Sequence, residues 1–173
     1  LLYVRETEYT VSPSDPRIIG ELYHRILAAF FRTVLESDAP TLHADREHYA
    51  AEMHEIIDRV ASSFRDEVGV FVPPAWAAIV QSVHANLESY LGLELKEYAG
   101  CSVVDVECDS SAERPGIYVH GRIDRLSRGE DGYIVVDYKK RARITSPSLD
   151  PETGRIDSFQ IPVYILLAQE AYG

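Results

Sequence analysis

The stretch from Gly121 to Lys140, "GRIDRLSRGEDGYIVVDYKK", limits what this chain can fold into more than any other. Two runs of β-branched and apolar residues flank the turn-forming "SRGEDG", a pattern that predicts a hairpin. With the loop at Gly129 to Gly132, Arg128 pairs with Tyr133, Leu126 with Val135 and Asp124 with Asp137. Side chains alternate with a period of two, so both aspartates then share one face, and Lys139 joins them two residues further on. Carboxylates about 5 Å apart repel by about 3 kcal/mol at an effective dielectric near 20. A surface hairpin with a solvated Asp–Lys pair is the plain alternative. A hard divalent cation with oxygen ligands suits paired acids better, leaving part of its shell to water and substrate phosphate oxygens. Such an ion polarises a phosphoryl group and acidifies a bound water, while a neighbouring lysine steadies that water or the developing negative charge. The chemistry implied is phosphodiester cleavage.

Upstream of the hairpin the texture is helical. "DPRIIGELYHRILAAFFRTVLESDAP", from Asp15, has an acidic cap, Pro16 in the first turn and Pro40 after the end. Its apolar residues Ile19, Leu22, Tyr23, Ile26 and Phe30 form one stripe that Leu27, Phe31 and Leu35 widen, predicting a helix covered on two sides. Further helices are expected from His43 to Val68 and from Pro73 to about Leu91. After Lys96, "CSVVDVEC", "GIYVHGRIDRL" and "GYIVVDYKK" predict three consecutive strands. "RITSPSLDPETGRID" has the prolines and glycine of a surface loop, and a last helix is expected from about Ser158.

The whole chain fits one domain over residues 1–173, enough to bury about 70% of the surface of its unfolded form. A net charge of -11 argues against a general-purpose nucleic-acid binder, because nonspecific affinity for phosphates comes from Lys and Arg. Contact with nucleic acid must then be local, assisted by metal, or shared with a partner. The densest basic run, "KKRAR", follows the last strand and holds Lys140, Arg141 and Arg143; it is either a phosphate contact beside the metal or a solvated strand end. Cys101 and Cys108 are seven positions apart, on opposite faces of a continuous strand, and are expected as two reduced thiols. The opening "LLYVRETEYT" has neither an initiator Met nor a signal-peptide pattern, so a piece of a longer cytoplasmic protein is expected.

Together, "GRIDRL", "YIVVDYKK", the loop and "QIPVYILLA", preceded by "IIGELYHRIL", resemble in order and spacing the RecB-type nuclease domains of the PD-(D/E)XK superfamily. The resemblance implies an α/β restriction-endonuclease-like core, a small mixed β-sheet flanked by helices, here with an enlarged helical N-terminal part. It implies a Mg2+- or Mn2+-dependent deoxyribonuclease, with exonuclease action in DNA repair or recombination. Asp124, Asp137 and Lys139 match the catalytic residues, and the metal ligands would be His24, Asp124, Asp137 and the backbone carbonyl of Tyr138. Glu107 matches a further acid of the family, with Glu94 and Glu97 as rivals. Gln160 and Tyr164 match the Gln-x-x-x-Tyr pair associated with DNA and with positioning the site, and their spacing places both on one helical face.

His24 also fits the plain alternative of a satisfied core histidine, although the missing side chain at Gly20 leaves room beside its ring. His43, His48, His54 and His84 are expected to be solvated helix residues. Lys140 departs from the small Thr or Ser that members of the family more often carry after the catalytic lysine. The cysteines do not sit where iron–sulfur members of the family carry theirs, so no cluster is expected in this chain. It also holds no Gly-x-x-x-x-Gly-Lys-Ser/Thr loop, which places any helicase or ATPase in another domain or subunit. The alternative function is an inactive nuclease-fold module that binds DNA or a protein partner.

Overall fold

The computed structural model describes residues 15–38, 40–41, 46–69, 72–98, 100–139 and 160–172. Three helices lead into a sheet, and a fourth returns to its far face. The first, α1 (Pro16–Glu36), starts where the Asp15 carboxylate accepts the Arg17 backbone N–H at 2.9 Å, with proline in the first turn. Leu22, Ile26, Phe30 and Phe31 are wholly buried, and Leu27 and Val34 nearly so. This wide apolar arc packs against both α2 (Arg46–Val68) and the sheet. Helix α2 contributes Tyr49, Met53, Ile56, Ile57 and Phe64 at three- and four-residue spacing. Helix α3 (Pro73–Glu97) runs beyond Leu91, because its stripe of Trp76, Val83, Leu87 and Leu91 is continued by a buried Glu94.

Strands β1 (Ser102–Arg114), β2 (Ile117–Gly129) and β3 (Gly132–Val136) form a sheet in the order β1-β2-β3. The two ladders are antiparallel, where a mixed sheet was expected; both joins among these strands are tight turns, which favour that pairing. Leu126 faces Val135 and Arg128 faces Tyr133, as the turn residues predict. Strand β1 extends six residues past Cys108 to a turn at Pro115 and Gly116, whose φ of 76° suits glycine.

Helix α4 (Gln160–Tyr172) lies against β1 and β2 on the opposite face. It comes close: a Cβ added at Gly121 would stand 3.0 Å from Leu167 Cδ1, and Ser110 Oγ donates to the Leu167 carbonyl at 3.2 Å. Residues 123–127 of β2 are all buried, since α1 covers one face and α4 the other. No described helix is long and apolar enough to cross a membrane.

Candidate active site

The ladder between β2 and β3 stops at Arg125 and Val136, which frees the backbone of the next residues. Both backbone polar groups of Tyr138 are taken up by side chains from elsewhere in the chain. Its N–H donates to Asp124 Oδ2 at 2.8 Å, and its carbonyl lies 3.0 Å from His24 Nε2. The other ring nitrogen of His24, Nδ1, is 3.4 Å from Asp124 Oδ1. Helix α1, strand β2 and the segment after β3 thus converge on one imidazole.

Glu107 completes this group. It has φ 54°, the left-handed region that a non-glycine residue seldom adopts, at a cost of about 1–3 kcal/mol. The distortion breaks the alternation of β1: Val106 belongs to the core under α1, whereas Cys108 packs on the α4 side. It brings the Glu107 carboxylate to His24 and Asp124, and one ligand atom from each lies within 4.8 Å of the others. Arg122 Nε holds Glu107 Oε2 at 2.8 Å. Of the rival acids, Glu94 is buried against Arg125 and Glu97 pairs loosely with Lys96 at 3.8 Å, so neither joins the group.

Asp137 and Lys139 stand beside this group. The Asp137 carboxylate lies outside the three mutually close residues; Lys139 Nζ meets its Oδ2 at 2.9 Å, and Tyr164 Oη donates to its Oδ1 at 3.5 Å. Asp137 is nearly buried, whereas Lys139 is half exposed. Tyr164 reaches Asp137 because the glycine at 121 lets α4 approach β2. Gln160 opens α4 one turn earlier, and its side chain falls outside the described residues, as do Lys140, Arg141 and Arg143.

A buried ion pair supports this assembly from below. Arg125 Nη2 meets Glu94 Oε1 at 2.7 Å, with side chains 1% and 3% exposed. The guanidinium lies 4.0 Å from the centre of the Phe31 ring, which stacks in turn on Tyr138. Tyr90 Oη donates to Glu94 Oε2 at 2.6 Å, so the carboxylate is held from two directions. Nothing in the strand pattern marks Arg125 or Glu94 as partners; the signal available was a lone acid continuing the apolar stripe of α3.

Both nitrogens of His24 face oxygen acceptors, a setting that favours positive charge. The imidazole pKa is raised above its usual value, chiefly by the Asp124 hydrogen bond and against the opposing effect of burial. The donor set is one imidazole, two carboxylates and a backbone carbonyl, a chemistry that fits a hard or borderline divalent cation. The nearest thiol is turned away, with Cys108 Sγ 3.3 Å from Tyr172 Oη on the α4 side. Cys101 and Cys108 are both free.

The other histidines expected to be solvated are not all without partners. His84 Nε2 meets Asp58 Oδ1 at 2.9 Å, and the His54 ring lies 4.7 Å from that of His84, centre to centre. These contacts join α2 to α3. His48 packs on Tyr49, and His43 lies outside the described residues.

The family profile of the PD-(D/E)XK nuclease superfamily matches residues 1–173. Neither a curated protein nor a solved structure matches the chain significantly. With the profile spanning the whole sequence, the chain belongs to the PD-(D/E)XK nuclease superfamily, a family of nucleases that use divalent metal ions.

Proposed function

We propose that this chain is a RecB-type nuclease domain that hydrolyses DNA phosphodiester bonds with Mg2+ or Mn2+, as an exonuclease in repair or recombination. The observation that carries this reading is the convergence of His24, Glu107 and Asp124 within 4.8 Å, with the Tyr138 carbonyl at 3.0 Å and the Asp137–Lys139 pair alongside. His24, Glu107, Asp124, Asp137 and the Tyr138 carbonyl would hold the ion. When bound, it supplies Lewis-acid charge and lowers the pKa of a water.

The remaining roles belong to the chain. Lys139 places its ammonium at the exposed rim, where it steadies the attacking water and the charge growing on the phosphate. Asp137 anchors that ammonium, and Tyr164 holds Asp137 from the α4 side. Tyr138 N–H fixes the Asp124 carboxylate so that its second oxygen faces His24. Lys140, Arg141 and Arg143 supply the local positive charge that a chain of net charge -11 needs to meet phosphates. The chain acts as a single domain of a cytoplasmic protein, with a helicase or ATPase outside it delivering the strand.

The test is cleavage of end-labelled linear DNA and closed circular DNA in Mg2+, Mn2+ and EDTA. Loss of linear DNA in either metal, none in EDTA, and intact circles are expected. Nicked circles would replace exonuclease with endonuclease action. A protein that leaves every substrate intact is the binding module instead.

A further inference from the structure

A cavity of about 560 Å³ opens between α1 and α3 beside the candidate metal site. The two share a boundary, because His24, Asp137, Tyr138 and Lys139 also line the cavity. Its volume is that of a small-molecule site, and its far wall is built from Tyr23, Asn86, Tyr90 and Tyr98. We propose, resting on the nuclease reading above, that this cavity receives one unstacked nucleobase next to the scissile phosphate, so that the strand cut is single-stranded or frayed.

Charge decides against an anionic occupant. The carboxylates on the lining are Glu94 and Asp137, and each already has its cation, Arg125 at 2.7 Å and Lys139 at 2.9 Å. Among the described lining residues, a phosphate placed inside would meet two carboxylates whose cations, Arg125 and Lys139, are already engaged, whereas an uncharged planar ring would meet tyrosines. Base–aromatic stacking tolerates any base, because each has a π-face. The Asn86 amide, whose Nδ2 donates to Tyr23 Oη at 2.7 Å, brings a donor and an acceptor to the edge of such a ring. A paired base has both faces and its edge occupied, and extruding it costs least where the strand is already unpaired.

Gly20 supplies the means of testing this. It lines the cavity from within α1, and a Cβ built there meets nothing within 4 Å. A leucine at this position grows into the space intended for the base without disturbing the core, and it improves the helix propensity of α1.

The experiment measures, by fluorescence anisotropy in Ca2+, binding of the full chain to a short labelled oligothymidylate and to an abasic strand of equal length. The parent is expected to prefer the strand with bases by about fivefold or more, the lower end of stacking on an aromatic ring. Gly20→Leu should bring that ratio close to one. Equal binding of both strands by the parent overturns the proposal, and so does a preference that survives Gly20→Leu. The parent measurement needs no variant, so it decides even if Gly20→Leu misfolds. A Mn2+ cleavage assay separates this failure from that of the nuclease reading. Equal rates on single strands and closed duplex retain the nuclease and remove the base subsite; no cutting at all removes the nuclease, and the binding preference alone then decides the subsite.

Discussion

The two faces of β2 are covered in opposite ways. Under α1 the packing is thick and aromatic: Phe31 and Tyr138 stack around a buried Arg125–Glu94 pair. Under α4 it is thin, with Ser110, Ala112 and Gly121 beneath Leu167 and Ala168. The thick side holds Tyr138, whose backbone meets both His24 and Asp124. The thin side brings α4 near enough for Tyr164 to reach Asp137. Large residues position one half of the site by filling space, and small ones position the other half by leaving it.

The comparison breaks most sharply at the ion pair. Glu94→Ala leaves Arg125 charged and buried, and is expected to cost about 3–5 kcal/mol in urea unfolding. On the thin side, Leu167→Ala should cost less, about 2–4 kcal/mol, because only hydrocarbon contacts are lost. A smaller loss for Glu94→Ala than for Leu167→Ala would mean that the pair is not what holds the thick side.

Asp137→Ala and Lys139→Ala act where the faces meet. Each should lower metal-dependent cleavage by about a hundredfold or more while leaving the urea midpoint near that of the parent. Cleavage at the parental rate in both variants would remove these residues from the mechanism. Tyr172→Phe sharpens the contrast from the α4 side, where the hydroxyl donates to Asp105 and contacts Cys108. It should cost about 1–2 kcal/mol of stability and leave cleavage unchanged.

The smallest effect is a pH dependence in EDTA. Because Asp124 raises the His24 pKa above 6.5, protonated His24 favours the folded state below that value. This contribution is lost as pH rises through the folded pKa, so the urea midpoint of the parent should fall towards that of His24→Gln over the same range. A gap between the two that widens with pH would contradict the assignment.

The hairpin register and the four helices were legible because their signals are local: "SRGEDG" sets the turn, and α1 shows its cap and its stripe. The far half of β1 was not. Its buried positions under α4 include Ser110 and Ala112, small enough for close approach, so the hydrophobic alternation of a strand is weak there. The extension of α3 to Glu97 was hidden for a different reason, since a buried carboxylate resembles the end of an apolar stripe until its partner is known. Within the site, the spacing of Asp124, Asp137 and Lys139 was visible in the hairpin alone. The approach of Glu107 to His24 and Asp124 depends on a backbone distortion that no residue type at that position announces.

The most direct measurement is calorimetric titration of Mn2+ into the parent and into His24→Ala. The parent should bind Mn2+ at a saturable site that His24→Ala loses or binds at least tenfold more weakly, as expected when one ligand of the set is removed. Equal affinity in the two proteins would contradict a metal centre built around His24.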